Sequence, residues 1–360
     1  MTMTAASFDL DELRATARAM LSDVSGAAAV RRAHDSGADV EAALWSQVAA
    51  LGWFAAPIPE AYGGLALGPS ALAILYEEMG RSVAPVFAPA PFLAAEAIAA
   101  SHDDALKQQW LPRIAAGEAR IAVAASWRAP LRADARGRLS GALPHIIGAS
   151  ADAVLAPVRA RGVNILGLIS TEANAVTLTP TPGADMTRDL GAASFDNAAY
   201  EPLPLTPQHW GEFQNHARIA LACDSLGGAE AILDLTIAYM KTREQFDRPI
   251  GSFQALKHRA ATWKVLLEAT RALVQSAVRK CDAGEGDREA VSACAKFYAC
   301  DAYAAIAGDA VQLHGGIGFT WEHECHLYLK RAKLNQMLFG AAEEHMERVA
   351  MLAIERGASR

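Results

Sequence analysis

Residues 242–254 read TREQFDRPIGSFQ and join two helical stretches, so Arg243 stands on a connection, within reach of a ligand. A guanidinium fork suits a phosphate or a carboxylate. An Arg at a helix C-terminus also simply complements the helix dipole. Residues 309–319 read DAVQLHGGIGF and place Gly315, Gly316 and Gly318 after a helix. Such glycines serve as a C-cap and turn; they equally let backbone approach a bulky ligand such as a cofactor phosphate. His314 beside them is read as a capping residue or a cofactor contact. Among carboxylates, Asp224 sits on an otherwise apolar helix. Buried, it has the raised pKa of a base, or it is a satisfied polar group or subunit contact. Glu343 and Glu344 open a helix after Gly340, where acidic residues complement the dipole.

The ten His and five Cys show no His/Cys spacing of a metal centre and no C-x-x-C pair, so no metal is expected. The odd, unpaired cysteines (Cys223, Cys281, Cys294, Cys300, Cys325) read as reduced thiols of a cytoplasmic protein, mostly buried in helices. With 33 basic and 40 acidic side chains the net charge is −7, which argues against a nucleic-acid partner. No apolar run reaches the roughly 20 residues of a membrane span. The best stretch, 87–100, is broken by Pro89, Pro91 and Glu96. The N-terminus has no apolar core of a secretion signal.

The elements that position these residues fall into three textures. Residues 1–118 carry apolar side chains at helical spacing, as in Leu44, Trp45, Val48, Ala49 and Leu51, with a loop at Pro57–Gly64 and a helix at about 103–116. Residues 119–205 hold short apolar runs (121–124, 153–156, 163–169, 176–178) separated by turn residues, the pattern of a small β-domain. In 206–360 the helical period returns. Leu256, Ala260, Trp263, Leu267, Val274 and Val278 predict one helix over about 253–281, and a second runs from Arg288 to about His314, giving a four-helix bundle.

Together, TREQFDRPIGSFQALKH and DAVQLHGGIGFTWEHECHLYLKRAK resemble the acyl-CoA dehydrogenase family. LWSQVAALGWFAAPIPEAYGGLALG, ILYEEMGR and ALKQQWLPRIAAGEAR extend the resemblance over nearly the whole chain. It implies a mainly α fold: an N-terminal helical domain (1–118), a small middle β-barrel (119–205) and a C-terminal four-helix bundle (206–360). It also implies an FAD enzyme that introduces a 2,3 double bond into an acyl-CoA thioester and passes electrons to an electron-transfer flavoprotein or similar acceptor. Arg243 is then expected to pair with the pyrophosphate of a neighbouring subunit's FAD. Gln245 and Phe246 would line its adenosine side with Gln254 nearby, and Gln312, Gly315 and Gly316 would hold the cofactor. That arrangement implies a homodimer or tetramer, or a heteromer with a related subunit.

Where members of the family carry a catalytic Glu, this chain has Phe339. At the alternative base position, just before Arg218, it has Ala217. The flavin-packing stretches of the β-domain read ASWR (125–128) and LPHII (143–147), with Trp127 a displaced aromatic wall or a barrel-packing residue. The catalytic residue is unassigned, with Asp224 and Glu343 as its candidates. The half-site donated to a neighbour is kept and the chain's own half is eroded, as in base-less subunits of heteromeric dehydrogenases for steroid and other bulky CoA thioesters. A silent partner subunit or acyl-CoA-binding scaffold is the alternative.

Overall fold

The computed structural model describes residues 9–24, 26–36, 40–172 and 174–358. Six helices come first: α1 (Leu10–Val24), α2 (Ala27–Ser36), α3 (Val40–Ala50), α4 (Pro69–Arg81), α5 (Pro89–Ala99) and α6 (Asp104–Ala115). The prolines that break residues 87–100 as a membrane span lie in the first turn of α5, where the helix needs no backbone N–H. Asp103 caps α6, its side chain accepting from the Leu106 amide.

Eight strands follow: β1 (Ile121–Ala124), β2 (Leu131–Arg132), β3 (Leu139–Ile147), β4 (Ala153–Ala160), β5 (Val163–Ser170), β6 (Val176–Pro180), β7 (Leu190–Ala198) and β8 (Glu201–Leu203). They form one mixed sheet in the order β6-β7-β3-β1-β4-β5-β8, with β2 pairing β4. The β1–β4 and β2–β4 pairs are parallel and the others antiparallel. Side chains alternate between its two faces with period 2. Ile121, Val123, Leu155 and Leu166 join the core shared with α5, α6 and α7, while Ala122, Val154, Val158 and Phe195 build a core within the β-domain. No pairing of β6 with β8 closes a ring among the described residues.

The last third holds α7 (Pro207–Thr242), the two-residue strands β9 (Glu244–Gln245) and β10 (Arg248–Pro249), then α8 (Gln254–Asp282), α9 (Arg288–His314), α10 (Cys325–Met337) and α11 (Ala342–Ala358). α9 packs against α7, α8, α10 and α11, so it is the axis of the bundle. On α8, Trp263, Leu267, Val274 and Val278 of the predicted stripe are buried, together with Thr270 and Ala277, while Leu256 and Ala260 are half-buried. α4 crosses α7 in backbone contact. A Cβ on Gly80 would lie 2.0 Å from the Asp224 carbonyl oxygen, and one on Gly227 1.9 Å from that of Glu77. Only glycine permits that approach. No helix among the described residues is long and apolar enough to cross a membrane.

Candidate functional site

Two regions carry the chemistry. The first is the end of the bundle where α7 stops. β9 and β10 form a hairpin with Phe246 (φ 54°) and Asp247 (φ 61°) at its corner. Two left-handed residues make the tight turn whose twist matches the strands, normally built with Asn and Gly. A Phe held there is strained, and its side chain stands 86% exposed. Arg243 caps α7 with its amide on the Tyr239 carbonyl at 2.8 Å, while its carbonyl accepts from the Ile250 amide at 2.8 Å. Its guanidinium is exposed and has no carboxylate partner among the described residues.

Gly315 ends α9 at φ 64°, ψ −143°, a conformation only glycine adopts readily. A Cβ on Gly315 or Gly316 would meet nothing within 4 Å, so the backbone there is open to a ligand. Tyr239 stacks on His314 with ring centroids 4.3 Å apart, which brings the ends of α7 and α9 together. Arg259 and Trp263 of α8 both bond Asp309 of α9, at 2.6 and 2.9 Å. The structure thus places Arg243, Gln245, Phe246, Gln254, Gln312, Gly315 and Gly316 at one end of the bundle, all of them exposed. A cation without a counter-ion, an outward aromatic ring and open glycine backbone fit a cofactor carrying phosphates and an aromatic base. His314 itself is buried and bonds the Ala310 carbonyl through Nδ1 at 2.8 Å.

The second region is a cavity of about 410 Å³ between the β-domain and the bundle, with Trp127, Trp210, Arg218, Phe339, Glu344 and His345 in its wall. Phe339 is buried at 6% exposure and held at φ 55°, its amide donating to the Ala125 carbonyl at 2.9 Å. Its ring stacks on Trp127 at 5.3 Å and 11°, and Trp127 meets Phe213 edge-on at 5.1 Å. The position where the family's base is expected is therefore one face of an aromatic stack. Trp127 is both an aromatic wall of the cavity and a packing residue of the sheet. Ala217, at the other base position, is buried and inert.

The charges in this cavity are internally paired. Glu344 bonds Arg128 at 2.6 Å, and Glu289 bonds Arg348 at 2.7 Å with Arg218 3.9 Å away. Burial opposes the charge of Glu289, yet Arg348 and then Arg218 outweigh it and hold the carboxyl below its ordinary value. Burial, then the charges of Lys296 and Arg218, push His345 down to about 3, so its imidazole is neutral. The Nε2 of His345 and Nε1 of Trp127 are buried without hydrogen-bond partners.

The two weaker carboxylate candidates lie outside this cavity. Asp224 is buried and accepts from Arg188 (2.9 Å), Arg331 (3.3 Å) and Asn335 (2.7 Å). Arg331 also bonds Asp185 at 2.9 Å and, closely, Thr187, so the network ties the segment before β7 to α7 and α10. Burial and then the neighbouring Arg331 pull Arg188 down to about 10. Asp224 is thus the shared counter-ion of two buried guanidiniums. Glu343 is exposed in the first turn of α11.

All five cysteines are free, with Cys223, Cys300 and Cys325 buried. One ligand atom each from His314, His323 and Cys325 lies within 4.8 Å of the others, a grouping that no motif spacing signals. Local bonds engage it: Cys325 Sγ lies 3.3 Å from His314 Nδ1, and the Cys325 amide donates to His323 Nδ1 at 3.3 Å.

Residues 7–118 match the acyl-CoA dehydrogenase N-terminal domain and residues 211–354 the acyl-CoA dehydrogenase C-terminal domain. This chain belongs to the acyl-CoA dehydrogenase family. It is 34% identical to the acyl-CoA dehydrogenase IpdE2 of Mycobacterium tuberculosis, over 94% of this chain and 95% of that one. With IpdE2 of Mycolicibacterium smegmatis it shares 31% over 94% and 96%. Among solved structures it is similar to a variant of the Tcur3481-Tcur3483 steroid ACAD (30% identity, TM-score 0.86, 98% and 99% coverage). The same fold occurs in the ChsE4-ChsE5 complex of Mycobacterium tuberculosis (24% identity, TM-score 0.87, 99% of both chains).

Proposed function

We propose that this chain is one subunit of an FAD-linked acyl-CoA dehydrogenase assembly that introduces a 2,3 double bond into a bulky acyl-CoA thioester in the cytoplasm. Its role is to hold a neighbouring subunit's cofactor. The observation that carries this reading is the contrast between an exposed Arg243 with no carboxylate partner among the described residues and a base position filled by Phe339 stacked on Trp127.

Bound FAD supplies a hydride acceptor for the substrate's β-carbon. Arg243 would meet the pyrophosphate with its guanidinium fork, and Gln312 with the Gly315–Gly316 backbone would hydrogen-bond the rest. Phe246, Gln245 and Gln254 would border the adenosine. Phe339 cannot accept the α-proton, and the carboxylates in its cavity, Glu344 and Glu289, are paired with Arg128 and Arg348. The base therefore comes from a partner subunit of the same family, as the similarity to the Tcur3481-Tcur3483 steroid ACAD supports. Electrons leave to an electron-transfer flavoprotein or similar acceptor.

The test is the visible spectrum and flavin-to-chain ratio of the chain alone and co-expressed with a related dehydrogenase subunit. Flavin and thioester oxidation in the co-expressed complex, with little of either in the chain alone, is the expected result. One flavin per chain and full turnover in the isolated protein would overturn the shared-site reading.

A further inference from the structure

The end of α9, the turn after it and the start of α10 bring together three side chains that can ligate a metal ion. His314 is the last residue of α9, Cys325 is the first of α10, and His323 lies in the connection between them. One ligand atom from each stands within 4.8 Å of the other two. His314 is 3% exposed and Cys325 0%, while His323 is half-buried, so entry is from the His323 side. Aromatic rings pack around the group. Tyr239 stacks on His314 at 4.3 Å and meets His323 edge-on at 6.4 Å, and the two imidazoles lie 4.4 Å apart.

Two imidazoles and a thiolate are a donor set for zinc(II), a borderline-soft ion with no geometric demand from its d-electrons. Around a tetrahedral zinc, with bonds of roughly 2.0–2.3 Å, ligand atoms stand about 3.3–3.6 Å apart. Cys325 Sγ is already 3.3 Å from His314 Nδ1. Closing the whole group on an ion therefore takes side-chain shifts of roughly an ångström. Zinc binds an imidazole through either ring nitrogen, so the grouping needs no particular tautomer in the free chain. The Nε2 of His314 is buried with no hydrogen-bond partner, so its desolvation is offset by nothing within the chain. Arg31 approaches the turn through the Trp321 carbonyl at 3.2 Å and is paired with Glu324 at 3.7 Å, so it does not face the ion as a bare cation.

We propose that His314, His323 and Cys325 form a zinc(II) site that staples the turn between α9 and α10, with water in the fourth position. The Cys325 thiol gives up its proton to solvent as it takes the ion. The stapled turn carries Gly315, Gly316 and Gly318, so the ion holds in one shape the backbone proposed above for the cofactor. The ligands are different residues from those of the cofactor reading, and metal binding is read without flavin, so either can fail alone.

The test is titration of the full-length, chelator-treated chain with cobalt(II) and then zinc(II), followed by near-ultraviolet and visible absorption. One cobalt per chain, with a thiolate-to-cobalt charge-transfer band that zinc abolishes, is the expected result. In C325S the band should be lost. In H323A the cobalt affinity should fall at least about tenfold, with the far-UV circular dichroism of the parent. Zinc should raise the thermal midpoint of the parent and leave that of H323A unchanged. No cobalt binding, binding without the charge-transfer band, or parental affinity in H323A would overturn the proposal. So would a band that survives in folded C325S, which would place the ion on one of the other four thiols. Should C325S not fold, the band in the parent and the affinity of H323A decide.

Discussion

The outward end of the bundle and the cavity beneath the β-domain treat the same kinds of side chain in opposite ways. At the bundle end, Arg243 has no carboxylate partner among the described residues and Phe246 stands outward on a left-handed turn. In the cavity, Arg128, Arg218 and Arg348 face Glu344 or Glu289, and Phe339 is folded inward onto Trp127. An exposed aromatic ring leaves apolar surface in water, and an exposed guanidinium keeps its hydrogen-bond donors free for an anion. Paired charge and stacked rings are satisfied within the chain. On the function proposed above, the first region is the one that meets a second molecule, and the second is satisfied within the chain.

The largest effect that would sharpen this contrast is expected from Asp224→Ala. It leaves the buried Arg188 without its carboxylate and Arg331 with Asp185 alone, and chemical denaturation should show a loss of about 3–5 kcal/mol. Activity lost with stability intact would make Asp224 a base and break the contrast. Next comes Phe339→Ala, which empties one face of the aromatic stack. It should cost about 3 kcal/mol in the same assay, with flavin bound by the assembly unchanged. Arg243→Ala should do the reverse: the midpoint of denaturation is unaltered, while flavin affinity in the assembly falls at least tenfold, roughly 1.4 kcal/mol.

Titration gives a smaller effect confined to the cavity. His345 is held to about 3 when folded, against an ordinary value near 6.5, by burial first and then by Lys296 and Arg218. As pH falls below about 6.5 the unfolded chain takes up a proton that the folded one refuses, so stability drops between pH 6.5 and 3. His345→Gln should flatten that slope in denaturation curves collected across this range. The smallest effect is Asp247→Gly, which relieves a left-handed residue at the hairpin corner. A stabilisation of about 0.5–1 kcal/mol by thermal melting is expected, with the Phe246 ring still outward.

The helices were legible because burial repeats along them. The period predicts a helix from Arg288 to His314, and α9 has those bounds; it predicts about 253–281, and α8 spans Gln254–Asp282. Strands β1, β4, β5 and β6 each contain one of the apolar runs. β3 and β7 are not announced by such runs. β3 alternates irregularly and has register shifts against β7, so neither period marks it. The residues proposed for the cradle could be named because they sit in two short segments, each contiguous in the chain. The hydrogen bonds that join His216 to Tyr76 and Glu96 gave no such signal, since those partners lie 140 and 120 positions away.

The sequence by itself determined the order of helices, strands and bundle, the family, and the glycines and arginine proposed as a cofactor cradle. It also set the absence of a carboxylate at position 339. Tertiary structure alone decided that Asp224 is a counter-ion, that Phe339 lies on Trp127, and that Tyr76, His216 and Glu96 are joined by hydrogen bonds. The physical reason is that periodicity states only which face of its own element a side chain occupies. Which faces meet depends on how elements cross, here on α4 touching α7 backbone to backbone at Gly80 and Gly227.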